Sequence, residues 1–553
     1  MLEKIKVFAL GGLDENGKSL YVVNYNEKLF VFDAGLRYPE ESLLGIDVIL
    51  PGYQYLLDNK NKIVGFFLTH GHDENMGALP FIIEGIQDEC HVYGTKFTLL
   101  SLMHTAKRFK KKINNVKFHP VGSDVDFDVN GFSMHTFAVT HGVPDACGYA
   151  LETNSGLIVY SGDFILDFSA KFPYNTNVGR MYDLAKKGTF LLLSESYNST
   201  YNGFIAPNNR MLNKLIQIMD DVRGRIFISI YGQTVFQVQE ILDAAISSRR
   251  KVFLYTEQAK ETIKLIKHEF PEINIPDALF TTNIYERDCV ILVSELGNKV
   301  FEILSNIADQ NNQENKLKFS KEDAFVIASG AHTGTELSFA RILDKLYMTG
   351  AQVLNISKEI ASMHGGSEDL KALLNIFRPK SYMPVRGYYV KLVENAKLAL
   401  SLGYTHSNIL VYDNGMVATF ENGELVRNIE NIEANEIMVD GIGIGDVGNV
   451  VINDRRKLSR DGVLVIGVSF SMSTRKIVAG PDVQIRGFGF VKDEEKAIEK
   501  IAKCFSSTVY NFVQKPGLVD FNELRMLCKE NVSTLIKNEY DKEPMILPVI
   551  ISV

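Results

Sequence analysis

The chain predicts an α/β protein of several structural units, and three observations predict it. It runs to 553 residues, where domains of about 150 residues make three or four units. Up to about residue 165 it alternates short apolar runs with turn signals. From about residue 206 the apolar residues spread into longer helical spacings between strand-like runs. Hydrophobic residues make up 46% and charged residues 23%, which is ordinary globular usage. That excludes a wholly disordered or collagen-like chain and leaves apolar surface for sizeable cores.

The elements follow in order. KVFALGG, SLYVVNY, KLFVFDAG, IVGFFLTHGH, HVYGT, FSMHTFAVTHG and GLIVYSGD are β-branched and aromatic runs bounded by Gly, Asn, Asp or Ser, and each reads as a strand. MLNKLIQIMDDV, TVFQVQEILDAAISS and ELSFARILDKLYM carry helical spacing, and residues 206–355 read as an α/β insert. Strand-like segments return at AQVLNIS, SYMPVRG and NILVYDNGMVATF. An irregular stretch follows residue 445. The tail reads as strand (VLVIGVSFS), strand, helix (EEKAIEKIAKCF), helix (FNELRMLCKENVSTLIK) and final strand (MILPVIISV). The polar connection Asn311–Lys316 reads as an exposed loop.

The net charge of −8 argues against a broad polyanion-binding surface, while leaving room for a local basic groove. Arg108, Lys110, Lys111 and Lys112 are one candidate lining for it, and Arg249, Arg250 and Lys251 another; the plainer reading of both is a solvated face. The five cysteines are scattered without a CxxC pair and read as thiols in a reducing compartment. No apolar run reaches the ~18 residues of a spanning helix, and the first residues lack a secretory core. The expectation is a soluble, cytoplasmic, multidomain protein.

Two motifs are decoys. Gly12–Ser19, GLDENGKS, fits a phosphate-loop pattern, but such a loop must open a helix, and SLYVVNY reads as a strand. GIGDVG, Gly443–Gly448, fits a dinucleotide fingerprint, but VVIND after it also reads as a strand, with no βαβ unit.

The informative segment is LTHGHDENMGALP at 68–80. His70 and His72 follow an apolar strand and stand two apart, so on extended backbone they point the same way. His141 in AVTHGVPD and Asp163 in VYSGDF each stand just past an apolar run. Three imidazoles and a carboxylate at strand ends are the usual shell of a catalytic Zn²⁺ or Mn²⁺.

These residues carry a resemblance. THGHDENMGALP resembles the HxHxDH motif of the metallo-β-lactamase fold; Asp33, His141 and Asp163 resemble its further motifs. ALGGLDENGKSLYVV, LLLSESYNST, SMHGGSEDLKALLNIFRPKSYMPVRG and the tail segments GIGDVGNVVINDRRKLSRDGV and STRKIVAGPDVQIRGF resemble the β-CASP branch, specifically the ribonuclease J family, over nearly the whole chain. The resemblance implies an αββα metallo-β-lactamase sandwich over 1–205 and 356–445. A β-CASP domain is inserted at 206–355, a linker covers 446–465, and a small α/β domain that supports dimerisation covers 466–553. It implies metal-dependent hydrolysis of RNA, mostly as a 5′-to-3′ exonuclease and sometimes as an endonuclease. By it Glu195 assists proton transfer and His364 lies near the scissile phosphate.

The departures from the family pattern are specific. Glu74 and Asn75 stand where the motif has Asp-His, and Arg386, in MPVRG, stands where a later histidine is expected. These three positions build the family's second metal site. Glu74 remains a candidate ligand; Asn75 offers only an amide oxygen; Arg386 has no acceptor and stays charged. At ~4 Å from a divalent ion and an effective dielectric of ~20, that guanidinium repels by about 8 kcal/mol before screening. The expectation is one ion at most bound well, Zn²⁺ or Mn²⁺, on His70, His72, His141 and Asp163. Arg386, with His364 and Gly330, would then contact substrate phosphate. Gly330-Ala331-His332-Thr333 replaces the family's Gly-Ser-Gln-Gly loop, and Gln233–Gln237 replaces its Ser-Asn-x-His-Arg stretch. The pattern looks most like the second, catalytically degraded paralogue of the bacterial family. That implies a weak ribonuclease working with RNA as a homodimer or as a hetero-oligomer with the first paralogue, in mRNA decay and rRNA maturation, and away from membranes. The alternatives are a non-catalytic RNA-binding scaffold, a full two-metal nuclease using Glu74, and a small-molecule hydrolase; the insert and the tail speak against the last.

Overall fold

The computed structural model describes residues 3–40, 43, 45–232, 234–309, 317–331, 335–426, 430–441, 443–444, 449–487, 494–516 and 518–553. Asn311–Lys316, Gln233, His332 and Thr333 lie outside them. The chain forms two compact units, residues 1–41 with 47–438, and residues 42–46 with 439–553.

The larger unit is mixed α/β. Its eight-stranded sheet runs in the order 424–426, 418–421, 4–11, 20–25, 28–32, 63–67, 90–94, 116–120. A six-stranded sheet runs 381–385, 189–195, 156–160, 147–153, 132–138, 126–129. Side chains alternate across each strand. In Lys4–Gly11, Val7 and Ala9 point inward, while Phe8 meets the ring of Tyr55 on the outer face. The inward rows, Tyr21, Phe30, Phe32 and Phe67 from one sheet and Tyr149, Tyr160, Leu193 and Met383 from the other, form one core between the sheets. Helix Lys96–Arg108 lies along the outer face of the first sheet. Helices Val178–Ala185 and Ser367–Phe377 cover the second through Met181, Leu184, Leu370, Leu373 and Phe377. Helices, sheet, sheet and helices therefore stack as layers around a buried middle.

Strand direction decides where chemistry collects. Gly156–Tyr160, Thr189–Glu195 and Ser381–Val385 are parallel neighbours, so Asp163, Glu195 and Arg386 leave the second sheet at the same edge. Lys28–Phe32 and Ile63–Phe67 are parallel too, which puts Asp33 beside His70. Residues 206–355 hold a separate, wholly parallel five-stranded sheet in the order 252–254, 290–295, 226–231, 324–327, 352–355. Helices pack on both its faces.

The smaller unit pairs Val463–Phe470 between Ile477–Arg486 and Met545–Ser552. One face packs on helices Glu494–Val513 and Phe521–Tyr540 through Ile466, Phe505, Val532 and Ile550.

Several expectations change. Asn449–Asp461 is a helix, not the strand expected after the second glycine motif, and it fills most of the stretch expected as a linker, 446–465. Val450, Val451 and Ile452 look strand-like over three residues, but the following DRRKLSRD supplies charged helix formers and Ile452 is buried. In NILVYDNGMVATF only Ala418–Glu421 is a strand, because the turn at Asn414–Gly415 interrupts the run. The first glycine motif does precede strand Leu20–Tyr25, and Lys18 is buried in an ion pair with Glu15 at 2.8 Å, so no phosphate loop forms. Within the basic runs three side chains are held by partners, and Arg108 also lines a cavity with Phe97, His104 and Gln258. Arg108 is bonded to Asp73 and Lys111 to Glu84. Arg250 is buried and donates to the carbonyls of Met219 and Gly224.

Candidate active site

His70, His72 and His141 converge. His72 Nδ1 lies 3.1 Å from both His70 Nε2 and His141 Nε2. Two nitrogens on one Zn²⁺-sized ion stand about this far apart when each Zn–N bond is about 2.1 Å. The rings are oriented from behind. His141 Nδ1 donates to the carbonyl of Met363 at 2.7 Å. Thr69 Oγ1 donates to Asp33 and so accepts from His70 Nδ1 at 2.9 Å. Each bond leaves the Nε2 lone pair facing the cluster. Burial, then the neighbouring imidazoles, holds His70 and His141 well below the usual imidazole range, which is the neutral, ligating form.

Asp163 closes the group. It is buried, its Oδ2 lies 3.8 Å from His70 Nε2 and 3.4 Å from Arg386 Nε, and its Oδ1 has no partner. Burial alone would raise this carboxyl; Arg386, then His364, His70 and His72, outweigh that and hold it at about 2. Two neutral imidazoles, the His72 ring between them and an ionised, half-unpartnered carboxylate fit a divalent ion.

Beside this cluster Glu195 and His364 form a pair. Glu195 is buried, and its Oε2 accepts from His364 Nδ1 at 2.7 Å. Its Oε1 accepts from Phe164 N at 2.6 Å and Gly365 N at 3.2 Å. Burial would lower His364, but the Glu195 carboxylate outweighs it and raises the imidazole above its ordinary value. Burial raises Glu195 against the pull of His364. His364 also stacks on Tyr197, with ring centroids 4.2 Å apart.

At the three positions that depart from the family pattern the structure places an amide, a carboxylate and a guanidinium. Asn75 is buried and donates its amide to Asp33 Oδ2 at 2.9 Å, which leaves one neutral oxygen. Glu74 is half-buried. Arg386 is buried, with φ +59°, a left-handed conformation that non-glycine residues adopt at a cost of about 1 kcal/mol or more. Gly330 stands three residues past strand Ala324–Ile327 of the insert, where its carbonyl accepts from Tyr231 OH.

Sequence reading alone did not single out Tyr197, Met363 or Thr69. Thr69 adjoins His70 and Tyr197 stands two residues from Glu195, which was a local signal. Met363 acts through its backbone and left none.

Residues 450–553 match the model of the ribonuclease J C-terminal domain. A solved structure of a protein of unknown function from Enterococcus faecalis V583 superposes with a TM-score of 0.51 at 15% identity, over 75% of this chain and all of that one; that likeness is one of fold alone. Ribonuclease J 2 of Staphylococcus aureus and ribonuclease J 2 of Staphylococcus epidermidis are each 30% identical over 99% of this chain and 98% of their own. With identity of that level running end to end, the chain belongs to the ribonuclease J family and is matched there by its second paralogue.

Proposed function

We propose that the chain is a metal-dependent ribonuclease of low turnover, acting 5′ to 3′ and at times endonucleolytically, within a ribonuclease J complex that serves mRNA decay and rRNA maturation. In this reading the layered body is a metallo-β-lactamase domain and residues 206–355 are its β-CASP insert. One observation carries the reading: His70, His72 and His141 converge, and Asp163 joins His141 and His364 beside them, with Glu195 bonded to His364. A divalent ion, Zn²⁺ or Mn²⁺, supplies Lewis acidity there when bound. Glu195 holds the Nδ1 proton of His364, so Nε2 is the atom left to pass a proton to the departing oxygen. Tyr197 fixes the plane of that ring. Glu74, Asn75 and Arg386 offer no full ligand set for a second ion, so turnover is expected to be low.

The test is digestion of a 5′-monophosphorylated RNA with Mn²⁺, with Asp163→Ala protein beside it. Cleavage that disappears in the variant supports the reading. Equal, negligible cleavage in both sinks it and favours the second reading, a non-catalytic RNA-binding scaffold for the first paralogue. The buried Asp163–Arg386 ion pair favours that second reading, because it ties up a carboxylate that catalysis needs.

A further inference from the structure

We infer that Arg386 takes the place of a second metal ion, so that the chain binds one ion, and that its unpaired Nη1 receives a non-bridging oxygen of an RNA phosphate. This rests on the metal-dependent reading above and deepens it.

The position of one oxygen carries the inference. Asp163 Oδ2 faces His70 Nε2 at 3.8 Å on one side and Arg386 Nε at 3.4 Å on the other. His364 Nδ1 lies 3.9 Å from the same oxygen, and the nearest cationic group to it is the Arg386 guanidinium. That guanidinium is fixed. Arg386 is 5% exposed. Its backbone N–H donates to the Gly12 carbonyl at 2.8 Å, and its backbone carbonyl accepts from Ser196 N at 3.0 Å. The Tyr197 ring lies 5.8 Å from its carbon, within cation–π range. It cannot be deprotonated at any working pH, so like-charge repulsion works against a divalent ion beside it.

The remaining donor points to the ligand. Arg386 Nη1 is buried and has no hydrogen-bond partner. A buried guanidinium N–H without an acceptor is costly, and a phosphate oxygen is the acceptor its planar geometry suits. The Asn75 amide is held by Asp33 and offers a neutral oxygen only, so of Glu74, Asn75 and Arg386 only Arg386 is positive.

The experiment counts Mn²⁺ ions per full-length chain by native mass spectrometry, and measures inorganic phosphate binding to the Mn²⁺-loaded protein by calorimetry. The wild type is expected to hold one ion. A Glu74→Asp, Asn75→His, Arg386→His triple variant is expected to hold two. Arg386→Met is expected to keep one ion and to lose at least tenfold in phosphate affinity. Arg386→Lys, which keeps the charge but not the fork, should fall between. Two ions in the wild type overturn the inference and leave the ribonuclease reading standing. Unchanged phosphate affinity in Arg386→Met also overturns it. No bound ion at all sinks the metal-dependent reading itself, and the inference with it. The wild-type ion count decides without any variant, should Arg386→Met fail to fold.

Discussion

At Asp33 four donors meet one buried carboxylate: Thr69 N at 2.8 Å, Thr69 Oγ1 at 2.8 Å, Asn75 Nδ2 at 2.9 Å and Tyr160 OH at 2.8 Å. Burial nevertheless pushes the group up to about 7. Asp33 touches no reactant; it sets Thr69, which sets His70. Asp33→Ala should therefore weaken Mn²⁺ binding about 10–100-fold, read by calorimetric titration; unchanged affinity would contradict this chain of contacts. Glu195 and His364 act as one unit. Glu195→Gln and His364→Ala should each slow RNA cleavage by about 10²–10⁴. The double variant should be little slower than either single one, because coupled groups are not additive. Additive losses would show that they act separately.

The ligand loop is an element held by its backbone. Ser19 N donates to the Glu74 carbonyl at 3.0 Å, Ala34 N to that of Asn75 at 2.6 Å and Leu36 N to that of Asp73 at 2.9 Å. Between them Gly35 passes so close that a Cβ there would lie 1.6 Å from the Glu74 oxygen. Gly35→Ala should cost about 3 kcal/mol or more and weaken ion binding, checked by denaturant melts and titration. In the insert, Glu240 on helix Val235–Ser247 is buried and accepts from Met211 N at 3.0 Å, before helix Leu212–Asp221. Burial raises it from 4.5 to about 7. The folded state thus holds a proton that the unfolded state releases, so this group's contribution is full below about pH 4.5 and is lost as pH rises through about 7. Glu240→Gln should remove a fall of up to about 3 kcal/mol across that window. Parallel pH–stability curves for the two proteins would refute it.

At the scale of the molecule the chain is two compact units, and among the described residues no helix is long and apolar enough to cross a membrane. The smaller unit has its own core around Phe505, Val532 and Ile550, so its removal should spare the larger one. A chain ending at residue 445 should keep its Mn²⁺ affinity and, in the complex proposed above, lose assembly with the first paralogue, measured by titration and light scattering. Retained assembly would place the interface in the larger unit.

The sequence by itself determined the strands of the body, the helices of the insert and the order of elements in the tail. Those are short-range properties: alternation of period two and spacing of 3.6 residues are written in neighbouring side chains. It also singled out the His70–His72 pair, since two residues apart is a local relation, although His70 and Gly71 form a bend past the strand and not the extended backbone expected. It misread Asn449–Asp461, where three β-branched residues open a charged helix. Only the tertiary structure decided what surrounds the cluster. Met363 orients His141 from 222 residues away, and Arg386 reaches Asp163 across 223. Which strand ends meet depends on strand order and direction across two sheets, and no local pattern of residues encodes that.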